Sequence, residues 1–354
     1  MKAKQIKTKI FLSLLGLFLI WMVILSFQTY EYPDKQEIDK RLNYLERVID
    51  QRLTPDSEIA LLGMESSKEF MLFTYAYSTY ALTNLAVRDS AYKERAEKII
   101  RESINKTLDY RVSIPYGIDR NLPNMDSIPD YSVLYLGHLN LMMGCYRLLS
   151  NDTIFNRLND RISESLFRRY SEKEFMCLES YSSAIWIPDN TVAIASLKLH
   201  GANTGSSYDS ICTKWVEYAK SNFLHEETGV LCSTVDPKTG KALEEPRGSM
   251  LGWSIMFIYQ FDKQFALEFY DNYKKHFSDG LLAFRLFRER HDKRGMNPGD
   301  IESGPIILGY SIPANEFALG NAIMAGDYKT AKKIERLIAL GASQIEENGE
   351  IRYE

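Results

Sequence analysis

Apolar positions recur at helical spacing along most of the chain, and the alternation typical of strands is scarce. Two kinds of segment follow each other. Residues 69–87 are apolar nearly all round, as in a buried helix, whereas residues 91–108 carry charge on one face. A first amphipathic helix is predicted over 35–53. Further apolar helices are predicted near 131–149, 189–200, 249–260 and 314–325, and further charged helices near 153–169, 207–223, 263–277 and 328–340.

A weak internal repeat indicates how these helices pair. Residues 80–100 resemble residues 317–337, because both read Ala-Leu-x-Asn, a short turn with Asp, and then a Tyr before an Ala/Lys-rich helix. Each copy predicts a hairpin of one buried and one half-exposed helix. Five to six hairpins over 65–354 would close into an all-α ring, an α/α toroid. A solenoid is the competing architecture, but the spacing of roughly fifty to sixty residues is irregular and longer than common helical repeats.

The N-terminus predicts a membrane helix. Residues 10–27 are eighteen uncharged, mostly apolar residues, about enough to cross a bilayer core. The basic tail, residues 1–9, should stay in the cytoplasm, which would leave the body outside it, in the periplasm or beyond. A cleaved signal peptide is the alternative, although no small-x-small cleavage site is evident. Residues 28–64 are expected to form a linker and the first outer helix.

Composition narrows the functional classes. Of 354 residues, 45% are hydrophobic and 25% charged, which is ordinary for a globular protein. Beyond the four N-terminal lysines, 39 basic residues face 47 acidic ones, so nucleic acid is not expected as a partner. The four cysteines have no C-x-x-C spacing and no accompanying histidine cluster, so no metal or cofactor is predicted. They could form disulfides in three connectivities, although Cys145 sits in an apolar helix and is expected to be a buried thiol.

Ile-Pro followed by a small polar residue begins several of the predicted helices, in the stretches 127–130, 186–190 and 311–315. One explanation is capping, since Pro fits a first helical turn and Asp satisfies free N–H groups there. The other is functional. Inner helices of a toroid run parallel, so their N-termini would open on one mouth, where Asp189 could transfer a proton and Trp186 and Asn190 could bind a substrate.

Other candidates come from the same predicted mouth. His138 lies within a buried helix and is either a core histidine or a general acid or base. Glu302 follows Asp300 in a Gly-rich loop that could place it at the mouth or leave it solvated. Arg247 could pair with an acid or with an anionic substrate, and Trp253 could stack on one.

Glu69 stands in the N-terminal turn of the first buried helix, from which it could reach a cavity. Tyr75 lies six residues further on, about 240° around an ideal helix, and so not on the same face.

The stretches 135–146 and 188–201 together resemble the linalool dehydratase/isomerase family. The resemblance implies an α/α toroid whose acid/base residues act on a terpene alcohol without a cofactor. It implies that His138 is the catalytic histidine, that Asp189 and Asn190 belong to the active site, and that Glu69 and Tyr75 occupy the positions of a catalytic Asp and Tyr. The family's cysteine pair is missing, because Trp186 and Ala195 stand at those positions.

These observations predict a membrane-anchored, cofactor-independent lyase, isomerase or hydrolase that acts on a terpenoid-like alcohol or a glycan. Paired carboxylates favour glycan cleavage. A homo-oligomer is compatible with the sequence. The alternative is a non-catalytic toroid that binds a ligand or partner.

Overall fold

The computed structural model describes residues 2–27, 33–54, 57, 59, 69–118, 132–292 and 299–353. Most of this chain is helical. The stretch 127–130 lies outside the described residues. The α-helices are α1 Lys2–Phe27, α2 Lys35–Asp50, α3 Glu69–Arg88, α4 Lys93–Thr107, α5 Tyr110–Ser113, α6 Val133–Leu149, α7 Asn156–Glu172, α8 Ile187–Thr204, α9 Asp209–Asn222, α10 Gly248–Ile258, α11 Lys263–Phe277, α12 Ile312–Met324 and α13 Tyr328–Gly341. Short 3₁₀ turns span Ser90–Tyr92 and Ile114–Tyr116.

Five inner helices, α3, α6, α8, α10 and α12, pack side by side in chain order, and each is followed by an outer helix. The first and last inner helices also meet, since the rings of Tyr77 in α3 and Phe317 in α12 lie 5.9 Å apart. This contact closes the ring, so the predicted α/α toroid is confirmed and the solenoid is wrong.

Helices α6 and α8 form the closest inner pair. A Cβ on Gly137 would lie 3.1 Å from the backbone N of Ala193, so glycine permits the approach. Asn140 then joins the layers, because its Nδ2 donates to Ser196 Oγ at 2.9 Å and to Ser163 Oγ at 3.0 Å on the outer helix α7. Asn159 donates to Asn140 Oδ1 at 2.7 Å. Buried polar groups therefore fix this part of the ring as well as apolar packing.

Short antiparallel strands occupy the long loops, which the hydrophobic pattern did not predict. Two-stranded ladders join β1 Ile185–Trp186 to β2 Thr234–Val235, β3 Ser278–Leu281 to β4 Phe284–Phe287, and β8 Gln344–Glu347 to β9 Glu350–Tyr353; β5 Gly299–Asp300, β6 Gly304–Ile307 and β7 Tyr310–Ser311 form a three-stranded sheet. The β8–β9 hairpin packs on α2, which also contacts the outer helix α4.

One helix among the described residues is long and apolar enough to cross a membrane, over Ile6–Ile24 within α1. A membrane span and a signal sequence meet this criterion equally. The four cysteines, Cys145, Cys177, Cys212 and Cys232, are buried free thiols. The expectation of a buried thiol at Cys145 is confirmed, and none of the three disulfide connectivities is formed.

Candidate active site

An open cavity of about 520 Å³ lies where the N-termini of the inner helices meet. Each of the five inner helices contributes to its lining from its first turns, and the β5–β7 sheet and the loop before α8 complete the wall. Most lining side chains are aromatic or aliphatic: Phe70, Phe73, Tyr77, Leu134, Tyr181, Trp186, Pro188, Met250, Trp253, Ile301, Pro305, Ile312, Pro313 and Phe317. Four carboxylic acids, Glu69, Asp189, Glu302 and Glu316, stand against this apolar wall.

The two Ile-Pro helix starts within the described residues, those of α8 and α12, share one structural feature, an asparagine that binds the preceding loop. Asn190 Oδ1 accepts from Leu178 N at 2.8 Å, while its Nδ2 donates to Leu178 O at 3.0 Å and to Trp186 O at 2.8 Å. Asn315 repeats this pattern with the N and O of Phe287 and with Ser311 O. Each asparagine therefore ties the preceding loop to its helix, and Asn190, predicted to bind substrate, has its amide engaged by the protein.

Asp189 does not act as a helix cap. The start of α8 has no side-chain cap, and the corresponding position in α12 is Ala314. The carboxyl is buried, with 7% of the residue exposed, yet it lines the cavity. Burial raises the pKa of Asp189 to about 7, and the charges of Glu69 and Glu302 add to the effect against a hydrogen bond from Ser180. A carboxyl with this pKa can hold or release a proton near neutral pH.

The loop before α8 positions the partners of this acid. Ser180 is fully buried, contacts Asp189, and accepts a hydrogen bond from Trp186 N at 3.3 Å. The next residue, Tyr181, donates its hydroxyl to Glu69 Oε1. Since Asn190 binds Leu178, this loop places Ser180 beside Asp189 and Tyr181 against Glu69 of α3.

A buried arginine, which is not itself part of the lining, binds acidic residues next to the cavity. Arg247 Nε lies 2.9 Å from Glu289 Oε1 and its Nη2 lies 2.6 Å from Asp300 Oδ1, while Nη1 is 3.8 Å from Glu302 Oε2. Burial disfavours the charged guanidinium, but Glu289 and Asp300 outweigh it and raise the pKa of Arg247. Arg247 is thus paired with protein acids. Ser249 N and Oγ, at the start of α10, also donate to Glu289 at 3.1 and 2.8 Å.

Glu302 is half-buried in the cavity wall. Burial raises its pKa, and the neighbouring charge of Asp300 acts in the same direction, whereas Arg247 opposes the shift. Burial also raises the pKa of Glu316, even though its side chain reaches solvent at the mouth. Three acids that the sequence predicted as site residues, Glu69, Asp189 and Glu302, line the same cavity.

His138 lies beneath this cavity and is not part of its lining. It is fully buried among aromatic rings, with Phe73 at 5.6 Å and Trp253 at 5.5 Å between centroids. Its Nδ1 is 2.8 Å from Tyr80 Oη, and its Nε2 has no hydrogen-bond partner among the described residues. Burial lowers the pKa of His138 to about 3, so the imidazole is neutral at physiological pH.

Some of the remaining predicted residues line the cavity and others lie in the core. Trp186 and Trp253 line the cavity, as expected for residues that stack on a substrate. Tyr75 is fully buried in the core and does not reach the cavity. The aromatic residues that α3 does present are Phe70, Phe73 and Tyr77; the last two lie four and eight positions after Glu69, and this helical spacing was the signal available in the sequence.

Sequence reasoning also missed a second cluster. His225, Glu245 and His291 come from two loops far apart in the chain, yet their potential ligand atoms all lie within 4.8 Å of one another. No short spacing marks this set, so only the fold reveals it.

No protein-family model matches the sequence, so the resemblance to the linalool dehydratase/isomerase family has no support at the level of family. A solved structure of a family 105 glycoside hydrolase from C. acetobutylicum ATCC 824 is similar to this chain, with a TM-score of 0.52 and 13% sequence identity. The match covers 88% of this chain and 86% of that chain. At this identity the likeness shows the fold, and the chain is an α/α toroid built like that of a glycoside hydrolase.

Proposed function

We propose that the protein is a glycan hydrolase in which Asp189 is the general acid and Glu302 is the base. The observation that carries this proposal is Asp189 itself, a buried carboxyl whose pKa of about 7 suits proton donation and which shares an open cavity with three further acids. The glycoside hydrolase with the same fold supports the choice of substrate class.

Glycoside cleavage requires two carboxyl groups in opposite protonation states. Protonated Asp189 gives its proton to the glycosidic oxygen as the bond to the anomeric carbon breaks. In its ionised form, which the guanidinium of Arg247 favours and burial opposes, Glu302 accepts a proton from the water that attacks that carbon. Burial, helped by the charge of Glu69, favours the protonated form of Asp189 in the resting site. The two sugar hydroxyls formed account for the atoms of one water.

The apolar wall would hold the sugar by stacking. Trp186, Trp253 and Tyr77 present aromatic faces to the cavity, and the C–H faces of a pyranose ring pack against such surfaces with burial of apolar area. Since Arg247 is already paired with Glu289 and Asp300, the proposal does not require an anionic sugar.

The helix over Ile6–Ile24 would tether this enzyme to a membrane with the toroid outside the cytoplasm, on the charge rule for the N-terminal lysines. Carbonate extraction of cell membranes tests the tether. The full chain should stay with the lipid, and release into the supernatant would exclude an integral anchor.

A second candidate is a lyase or isomerase that acts on an apolar alcohol. The observation that favours it is the predominance of aromatic and aliphatic side chains in the lining. Asp189 would then protonate a hydroxyl leaving group. The products distinguish these reactions, since hydrolysis adds the mass of one water, elimination removes it, and isomerisation leaves the mass unchanged while altering retention time.

The experiment is a screen of the full chain in lipid nanodiscs against 4-nitrophenyl glycosides, plant and bacterial oligosaccharides, and terpene alcohols, read by mass spectrometry. With an active glycan in hand, we expect Asp189→Asn to lower turnover by about 10²–10⁴-fold. Asp209→Asn, which changes an exposed aspartate in α9, is the matched control and should retain activity.

Turnover of a glycan at the same rate by Asp189→Asn would contradict the assignment of the acid. Saturable binding of a saccharide without any product would instead support the non-catalytic alternative.

A further inference from the structure

Two histidines and a glutamate form a cluster that the proposed reaction does not use. His225 and Glu245 belong to the loop between α9 and α10, and His291 follows β4. One ligand atom from each lies within 4.8 Å of the others, and none of the three lines the cavity. We propose that this cluster binds a zinc ion that joins the two loops.

The ring of His225 is set up as a ligand. Its Nδ1 lies 2.9 Å from the hydroxyl of Thr228, a buried residue. When Nδ1–H donates to that hydroxyl, Nε2 carries the lone pair, and Nε2 lies 3.0 Å from Glu245 Oε2. An outer hydrogen bond that fixes the tautomer and orientation of a histidine is the usual companion of metal ligation.

His291 completes the pair of imidazoles. Its ring centroid is 5.2 Å from that of His225, and its Nε2 lies 3.7 Å from Glu227 Oε2. Its Nδ1 is buried without a hydrogen-bond partner among the described residues. Glu227 lies outside the 4.8 Å set but next to His291, so a movement of its exposed side chain would bring it in as a fourth ligand, and two carboxylates would neutralise a divalent cation.

The donor set selects the metal. Imidazole nitrogens favour zinc over calcium or magnesium, which take oxygen ligands. Ligand atoms of a tetrahedral zinc lie about 3.3 Å apart, given bonds of about 2.0–2.1 Å. The distance between His225 and Glu245 is already close to that value. The side chains of Glu245 and Glu227 are 62% and 76% exposed, so they can close the remaining gap.

The position of the cluster indicates what the ion would do. Glu245 precedes Arg247 by two residues, and His291 follows Glu289 by two residues, so the ion would join the segments that carry the buried Arg247–Glu289 pair. Arg290 already binds one segment to the other through Glu245 O at 3.1 Å. The zinc would thus hold in place the segments that carry Arg247 and Glu289, while proton transfer stays with Asp189 and Glu302.

The test uses the full chain in lipid nanodiscs, stripped with a chelator and titrated with ZnCl₂ by calorimetry, and with CoCl₂ by visible absorption. We expect one equivalent of Zn²⁺, a rise in the melting temperature, and a cobalt spectrum of tetrahedral type. His225→Ala and His291→Ala should each weaken zinc binding by at least about 10–100-fold. Glu226→Gln and His276→Ala change neighbours outside the set and should bind zinc as the unaltered chain does.

Glu245→Gln and Glu227→Gln, which change exposed side chains, keep the test decisive if a histidine variant fails to fold. The proposal is overturned if the chain shows no 1:1 zinc binding tighter than millimolar, or if the His225→Ala/His291→Ala variant binds zinc unchanged. These outcomes are independent of whether the cavity hydrolyses a glycan.

Discussion

At the scale of single residues, Asp189 and Asn190 are neighbours in the Pro-Asp-Asn stretch but have different roles. Asn190 is engaged by Leu178 and Trp186, and Asn315 makes the same contacts in α12. Asp189 corresponds to Ala314, so the helix start does not need a carboxyl. The comparison of the two copies, available only once their contacts are known, separates the acid from the structural feature.

Glu69 should control the pH range over which Asp189 acts as an acid. The negative charge of Glu69 raises the pKa of Asp189, so Glu69→Gln should lower that pKa. The acid form is then lost at lower pH, and the alkaline limb of the activity profile should move to lower pH. The measurement is kcat/KM against pH for the unaltered chain and the variant.

Glu316→Gln is the matched control, because Glu316 lines the same cavity and does not contribute to the shift of Asp189. An alkaline limb that stays in place in Glu69→Gln would show that this charge does not act on the acid.

His138 illustrates a limit of sequence reasoning at this scale. Periodicity places it in a buried helix, but it does not give its depth. It is the sixth residue of α6, about 7–8 Å along the axis from the first, and Leu134 is the residue of this helix that reaches the cavity. Phe73 and Trp253 pack against the imidazole, so the proposed reaction does not use it.

At the scale of elements, the hydrophobic pattern predicted the helices well, because the inner helices are mostly apolar and the outer helices carry charge on one face. The predicted 69–87 is α3, Glu69–Arg88, and the predicted 328–340 is α13, Tyr328–Gly341. The short strands were not predicted, since a ladder of two to four residues is too short for a period of two to stand out. Such a ladder is held by pairing between distant loops, for example of Ile185 with Val235.

Both asparagines should contribute measurably to stability, and Asn190 more than Asn315, because Asn190 Oδ1 also accepts from the buried Tyr170 Oη at 2.8 Å. Asn190→Ala leaves the N and O of Leu178 without their partners, and Asn315→Ala does the same to Phe287. Buried polar groups that lose a hydrogen bond cost about 1–3 kcal/mol each. We therefore expect each variant to lower the free energy of unfolding by at least about 2 kcal/mol, measured by urea denaturation.

Asn203→Ala serves as the comparison, because the side chain of Asn203 makes one hydrogen bond within the described residues, to Gly144 O at 2.8 Å, and is half-buried. A loss in Asn190→Ala or Asn315→Ala no larger than in Asn203→Ala would show that the loops are held by other contacts.

At the scale of the whole molecule, ring closure explains why acids distant in sequence meet. Glu69 and Glu302 are separated by most of the chain, yet the contact between Tyr77 and Phe317 brings the first and last inner helices together. The sequence predicted a common mouth because parallel inner helices expose their N-termini on one face. It could not predict which loop side chains turn inward, since Ser180, Tyr181 and Glu302 are placed by loop contacts without periodicity.

Two buried groups of the fold make opposite contributions to the pH dependence of the free energy of unfolding. His138, with a pKa lowered to about 3, takes up a proton more readily when unfolded, so its contribution makes stability rise with pH between the folded value and about 6.5. Asp189, with a pKa raised to about 7, holds a proton in the folded state that it loses on unfolding, so its contribution makes stability fall between about 3.9 and 7. Between pH 4.5 and 6 the two contributions oppose each other.

Replacing either group should therefore reveal the pH dependence that the other group contributes. Relative to the unaltered chain, Asp189→Asn should gain about 1–2 kcal/mol more stability as the pH rises from 4.5 to 6, and His138→Gln should gain about 1–2 kcal/mol less. The measurement is the free energy of unfolding in urea at the two pH values for the three chains in detergent. Every other titrating group is common to all three chains, so the difference isolates the two sites. A pH dependence unchanged in Asp189→Asn would mean that this carboxyl is ionised in the folded protein at pH 6, and it could not then serve as the acid of the proposed reaction.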